Sequence, residues 1–108
     1  MKKPRELRWT ARAVLDLLEI GRFIARDDPA AARAWVDQIR NRARAAARVA
    51  FAGRQVPEID RENIREVLLG SYRVVYIVLE EAIDVLIVFE AHRLLPPGRT
   101  PPKSGEGQ

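Results

Sequence analysis

Residues 64–91 read IREVLLGSYRVVYIVLEEAIDVLIVFEA, a segment in which runs of β-branched and apolar residues alternate with two short turns. Unbroken runs of this kind are typical of strands that are covered on more than one side. Gly70-Ser71 has the form of a two-residue hairpin turn with glycine at its first position. The segment therefore predicts three consecutive antiparallel strands, over 64–69, 72–79 and 84–91.

The residues before this segment have the apolar period of helices rather than of strands. Thr10 is a candidate N-cap for a helix over 11–26. Asp28 and Pro29 suit the start of a second helix, which the pattern extends to about residue 50. Because only a short turn separates the two helices, we expect an antiparallel helical hairpin.

A further short strand is predicted near the start of the chain, where residues 5–9 alternate between polar and apolar side chains. With residues 51–63 interpreted as a loop, the order of elements is β-α-α-β-β-β, which indicates an α+β fold. We expect the helical hairpin to pack on a small twisted, mainly antiparallel four-stranded sheet. The first strand must lie at an edge or beside the last strand, and the sequence leaves both arrangements open.

The last part of the chain differs in composition from the rest. Seven of the thirteen residues from 96 to 108 are Pro or Gly, so little remains there to bury. We therefore predict one folded domain over 1–95 and a disordered tail over 96–108.

The composition excludes several classes of protein. The chain has no Cys and one His, so disulfide scaffolds and zinc centres are not expected, and no cofactor is predicted. No apolar run approaches the roughly 20 residues that a membrane span requires. The sequence thus favours a cytoplasmic protein without a membrane partner.

Positive charge is concentrated in the first half of the chain. Residues 1–50 hold 12 basic and 6 acidic side chains, whereas residues 51–108 hold 7 basic and 9 acidic ones. Four arginines recur on one face of the second predicted helix, which is either a solvated face or a docking surface for an acidic partner. They are Arg33, Arg40, Arg44 and Arg48.

Four motifs and their order resemble the RelE/ParE toxins of bacterial type II toxin–antitoxin systems. The motifs are GRQVPE at 53–58, IRE at 64–66, GSYRVVY at 70–76 and VFEAHR at 88–93. The N-terminal part is similar as well, with WT at 9–10, LEI at 18–20 and DPAAA at 28–32. The resemblance covers about residues 5–95 and rests on the order and spacing of the motifs, since no single motif is specific.

The resemblance implies a growth-arresting toxin that a co-expressed antitoxin holds inactive, with DNA contacted only through the antitoxin. An extended or helical antitoxin tail could add a strand to the sheet or lay an apolar face in a groove. Such tails are commonly acidic. We therefore expect the antitoxin to bind the second helix at Arg33, Trp35, Arg40, Arg44 and Arg48.

The family divides by target, and the motifs are most similar to the ParE branch, which implies poisoning of DNA gyrase rather than nuclease activity. The resemblance then suggests a target surface on the sheet and the residues after it. Its candidate residues are Arg54, Arg65, Tyr72, Arg73, His92 and Arg93. For Arg73 the alternative is a structural role, in which the buried guanidinium pairs with a carboxylate such as Glu66 or Glu90.

The RelE branch, whose members cut mRNA at the ribosome, is the alternative function. The lysine-rich site of RelE itself is absent, because lysines occur only at positions 2, 3 and 103. A YoeB-like site with a glutamate base and a histidine acid remains open, and its candidates are Glu58, Arg65, Arg73, Glu90 and His92. A third alternative is an inactive module that only binds its antitoxin.

Overall fold

The elements expected from the sequence are present, together with one additional strand. The computed structural model describes residues 3–102. The element bounds are β1 Glu6–Trp9, α1 Ala11–Ala25, α2 Pro29–Arg48, β2 Arg54–Gln55, β3 Ile64–Leu69, β4 Tyr72–Val78 and β5 Ala82–Glu90. A 3-10 turn over Ala50–Ala52 connects α2 to β2.

Side-chain caps fix the residues at which both helices begin. The Thr10 hydroxyl accepts a hydrogen bond from the Ala13 amide at 3.2 Å. The Asp28 carboxylate accepts one from the Ala31 amide at 3.0 Å, and Pro29 follows it in the first turn. Both predicted N-caps are therefore confirmed.

The sheet has five strands in the order β1-β5-β4-β3-β2, so the prediction of four strands is wrong. The additional strand, β2, pairs antiparallel with β3 and places Arg54 opposite Glu66. Two residues are too few to produce a period in the sequence, which is why residues 51–63 resemble a loop. β1 lies at the sheet edge and also beside β5, with which it is parallel, so the sheet is mixed.

The helical hairpin covers one face of the sheet. Leu17 of α1 and Ile39 of α2 pack there against Val74 of β4. The second half of α2 is rich in alanine, and its small side chains allow this helix to approach the buried ring of Tyr76. The Tyr76 hydroxyl donates a 2.7 Å hydrogen bond to the Ala50 carbonyl, which ties the end of the helical layer to the sheet.

The opposite face of the sheet, here called the second face, is also covered. Val56 and Leu95 pack against Val75 of β4, and they belong to the loop over 56–63 and the segment over 94–102. Burial on both faces explains the unbroken apolar runs of β4 and β5.

Part of the predicted tail has a contact with the domain. Arg99 forms an ion pair with Asp16 of α1 at 2.7 Å and donates a hydrogen bond to the Leu86 carbonyl at 3.0 Å. The composition of residues 96–102 gives no sign of this anchor. The rest of the tail, residues 103–108, lies outside the described residues.

Candidate docking surfaces and a buried arginine network

A network of charged side chains lies on the second face of the sheet, with Arg73 and Glu66 buried at its centre and Arg54 and Glu58 at its accessible margin. Arg73 of β4 is 4% exposed, and its Nε donates to Glu66 Oε1 at 2.7 Å. Its Nη1 and Nη2 donate to the two carboxylate oxygens of Glu58 at 2.8 and 2.7 Å. Arg54 Nε donates to the other oxygen of Glu66 at 2.5 Å. Two arginines thus neutralise two glutamates. Such pairing offsets the desolvation free energy that the burial of charged groups costs.

The network also holds separate segments of the chain together. Arg73 Nη1 donates to the Arg93 carbonyl at 3.1 Å, and the Leu95 amide donates to Glu58 at 3.0 Å. The loop that carries Glu58 and the residues after β5 are therefore fixed on the sheet by one guanidinium. Its bond with Glu66 confirms the pairing that the sequence suggested.

The network shifts the pKa values of two residues, Glu58 and Arg73. Hydrogen bonds from Arg73 lower the pKa of Glu58 to about 2, although desolvation opposes this shift. The hydrogen bonds with Glu58, and after them those with Glu66, raise the pKa of Arg73 above its ordinary value against desolvation. A carboxylate with so low a pKa and with both oxygens engaged is a weak proton acceptor.

The single histidine takes part in a different contact. His92 is exposed, with 74% of its side chain accessible, and its Nε2 lies 3.2 Å from the Glu90 carboxylate. Glu58 is engaged by Arg73 instead. The two glutamates proposed as nuclease bases thus have separate partners, and only Glu90 contacts the imidazole.

The candidate target-binding residues are dispersed around Arg73. Arg54 of β2 is paired in register with Glu66 and bonds its carboxylate, whereas Arg65, the residue before Glu66 in β3, points to the other face and lies over the Phe51 ring. Tyr72 begins β4 opposite Glu90, the last residue of β5, and His92 and Arg93 follow that strand. The structure therefore does not gather the six residues into one exposed patch.

A groove with apolar walls runs between α1 and α2, and we call it the interhelical groove. Its volume is about 440 Å³, and its lining includes Val14 and Leu18, which are 41% and 47% exposed. The helices approach closely at Gly21, where an added Cβ would lie 3.3 Å from Val36. Three arginines also line the groove: Arg22, Arg33 and Arg40.

The interhelical groove continues toward the edge of the sheet. A hollow of about 300 Å³ adjoins it and shares Val14 and Arg40 with it. Leu7 and Trp9 of β1 supply apolar surface there, and Arg44 adds a further positive charge. The two hollows together form a continuous apolar surface bordered by guanidinium groups.

The predicted antitoxin-binding residues divide along this surface. Arg33, Arg40 and Arg44 line the two hollows. Arg48 lies beyond them and lines another pocket, near β1. Trp35 packs edge to face against the tyrosine that begins β4, with ring centroids 5.6 Å apart.

Sequence reasoning missed this groove between the helices, since Val14 and Leu18 have the apolar spacing of a buried helix face. Only Ala13 and Leu17 of α1 are fully buried. The signal that could have identified the groove is the breadth of the apolar face of α1, which is wider than one neighbouring layer can cover.

The described residues offer neither a metal centre nor a membrane span. No group of three or more His, Asp or Glu side chains within residues 3–102 could hold a metal ion. No helix in the same range is long and apolar enough to cross a bilayer.

Comparisons with known proteins found a matching family model and a similar solved structure. A family model described as the ParE toxin of the type II toxin–antitoxin system parDE matches residues 7–95. A solved structure described as a chromosomal ParDE toxin–antitoxin system from P. aeruginosa is similar, with a TM-score of 0.67 and 22% sequence identity. The similarity covers 80% of this chain and 95% of that chain, and at this identity it supports the fold alone. No curated protein matches the chain.

Proposed function

Because this chain belongs to the ParE toxin family of type II toxin–antitoxin systems, we propose that it arrests bacterial growth by poisoning DNA gyrase and that a cognate antitoxin neutralises it. Gyrase acts on the chromosome, so the proposal also places the protein in the cytoplasm. The toxin then acts by binding a protein, and DNA is contacted only through the antitoxin.

The observation that carries the gyrase proposal is the match to the ParE toxin family, and the engagement of Glu58 argues against one of the two candidate nuclease bases. RNA cleavage requires a base with a free lone pair near the 2′-hydroxyl. Both oxygens of Glu58 accept hydrogen bonds from Arg73, and the pKa of Glu58 is lowered to about 2. The residue is thus suited to holding the fold together rather than to proton transfer.

The interhelical groove is the proposed docking site of the antitoxin. An amphipathic helix presents its apolar side chains to such grooves at spacings of three and four residues. Acidic residues beside that apolar face would meet Arg33, Arg40 and Arg44, which line the groove and the adjoining hollow. Arg48 and Trp35 lie outside this contact, so the proposal assigns them a smaller part.

Purified toxin tests the proposal in a gyrase supercoiling and DNA-cleavage assay. We expect supercoiling to fall and gyrase-cleaved DNA to accumulate, and equimolar antitoxin should reverse both effects. Primer extension on mRNA under translation is the parallel assay, with His92→Ala as the matched variant.

Two outcomes would contradict the proposal. Cutting of translating mRNA that His92→Ala abolishes, with gyrase unaffected, would assign the chain to the nuclease branch. Full cell growth during expression of the toxin without antitoxin would instead indicate an inactive antitoxin-binding module.

A further inference from the structure

Phe51, in the turn between α2 and β2, is an exposed aromatic residue with two arginines over its ring. Phe51 is 48% exposed. The guanidinium carbons of Arg65 and Arg5 lie 5.2 and 5.5 Å from the ring centroid. Both distances are within the range of cation–π attraction.

The two guanidinium groups are held in place by backbone carbonyls. Arg5 Nε donates to the Leu79 carbonyl at 2.8 Å, and Arg65 Nε donates to the Glu62 carbonyl at 2.7 Å. Neither arginine forms an ion pair with a carboxylate of residues 3–102, in contrast to Arg8, Arg54, Arg73, Arg93 and Arg99. Their positive charges are therefore ordered but not neutralised.

Further apolar surface lies next to Phe51, since Val49, two residues before it, is 61% exposed. Apart from Arg5 itself, the pocket beside Arg5 is lined by two basic and three acidic side chains, which is one net negative charge. The positive charge of this surface therefore comes from the two guanidinium groups over the ring, those of Arg5 and Arg65.

We propose that Arg5, Phe51 and Arg65, here called the Phe51 patch, form the surface on which the toxin engages an acidic segment of its protein target. Exposed aromatic residues and arginines are enriched at protein interfaces and dominate their binding energy. Because the guanidinium groups are already ordered, binding costs less side-chain entropy there. The proposal rests on the function proposed above and names the site through which that function is exerted.

A protein segment fits the Phe51 patch better than a nucleic acid does. Stacking of a base would require the ring faces of Phe51, over which the two guanidinium groups already lie. Carboxylates can instead bind the outward nitrogens of Arg5 and Arg65 while apolar side chains contact Phe51 and Val49. Phe51 follows the C-terminal end of α2, whereas the interhelical groove is lined by residues between 14 and 40. Mutations can therefore affect target binding and antitoxin binding separately.

Phe51→Ala and Arg5→Gln test the Phe51 patch, with Phe23→Ala as the matched control. Phe23 is a still more exposed phenylalanine, at 65%, and it lies on α1. Each variant is compared with the wild type for affinity to purified gyrase, growth arrest on expression, antitoxin affinity and thermal unfolding. We expect both patch variants to lose about tenfold or more in gyrase affinity and toxicity while antitoxin affinity and Tm stay near wild type.

The remaining outcomes separate this inference from the function proposed above. Gyrase inhibition by Phe51→Ala and Arg5→Gln equal to that of the wild type overturns the patch and leaves the proposed function standing. Loss of toxicity in both variants, with a wild-type toxin that does not affect gyrase, supports the patch and overturns gyrase as the target. A selective loss of affinity for duplex DNA or RNA in these variants, with protein binding unchanged, overturns the assignment to an acidic protein segment.

Discussion

Arg73 is the residue on which the second face of the sheet depends most. Its guanidinium meets four acceptor atoms: two on Glu58, one on Glu66 and the carbonyl of Arg93. Lysine could not replace it, because an ammonium lacks the planar fork that bonds two carboxylates at once.

Arg73→Ala is expected to lower the free energy of unfolding by about 3 to 5 kcal/mol, because it leaves the fully buried Glu66 without its inner partner. Urea denaturation measures this loss. Arg93→Ala is the control: its side chain is 68% exposed, its carbonyl remains, and its effect should stay within about 0.5 kcal/mol. Equal stability of the two variants would mean that the buried network contributes little.

Glu58 makes stability depend on acidic pH. Its pKa is about 2 in the folded protein against an ordinary value of 4.5, so folding favours the carboxylate form. The stabilisation is complete above about pH 5 and is lost as the pH falls toward the folded pKa. Denaturation at a series of pH values should therefore show a weaker acid dependence for Glu58→Gln than for the wild type. Parallel curves for the two proteins would contradict the assignment.

Among the elements, β5 shows how a sheet edge can be protected without another strand. β1 pairs only with Ala82–Val85, so the backbone groups further along β5 need other partners. Asp16 accepts a hydrogen bond from the Val88 amide at 3.1 Å, and Arg99 donates to the Leu86 carbonyl at 3.0 Å. The Asp16–Arg99 ion pair thus caps this edge and fastens the segment over 94–102.

Arg99→Gln should release that segment. The variant loses an ion pair whose side chains are only 9% and 17% exposed, and charge-assisted hydrogen bonds of this kind contribute about 1.5 to 3 kcal/mol. Hydrogen exchange followed by mass spectrometry should show the amides of Gly98, Arg99 and Thr100, the residues of 96–102 that are not proline, exchanging roughly tenfold faster or more. Arg93→Gln is the exposed control, and unchanged exchange in Arg99→Gln would show that other contacts hold the segment.

Local patterns predicted some elements better than others. The N-caps Thr10 and Asp28 and the Gly70-Ser71 turn depend on neighbouring residues, and the structure confirms all three. Gly70 has a φ of +55°, which glycine adopts without strain. β2 escaped detection because its pairing with β3 depends on a partner strand and not on its own two residues.

At the scale of the whole molecule, basic residues of the first half of the chain contribute to both proposed docking surfaces. The interhelical groove and its adjoining hollow carry Arg33, Arg40 and Arg44. The Phe51 patch takes Arg5 from the same half and Arg65 from the second half. An antitoxin and a target could therefore both be acidic and still bind different sites.

Antitoxin affinity is expected to weaken as salt concentration rises, because ions screen the attraction between exposed charges. The double variant Arg40→Gln/Arg44→Gln should bind more weakly at low salt and show a shallower salt dependence. Arg48→Gln, outside the two hollows, is the control and should change either property little. Titration calorimetry at several salt concentrations measures both, and a salt-independent affinity of the wild type would argue against the arginine border.

The sequence by itself determined the helical hairpin, the three long strands, the caps and the resemblance to a toxin family, because these depend on local period, turn chemistry and motif spacing. Only the tertiary structure decided which charges meet. Arg73 pairs with Glu58 across 15 positions, and Arg99 pairs with Asp16 across 83. Such pairs follow from strand register and from the path of loops over the sheet, which the intrinsic preferences of single residues do not encode. The same holds for the interhelical groove, since burial of Leu17 and exposure of Leu18 were settled by the packing of α1 against α2 and the sheet.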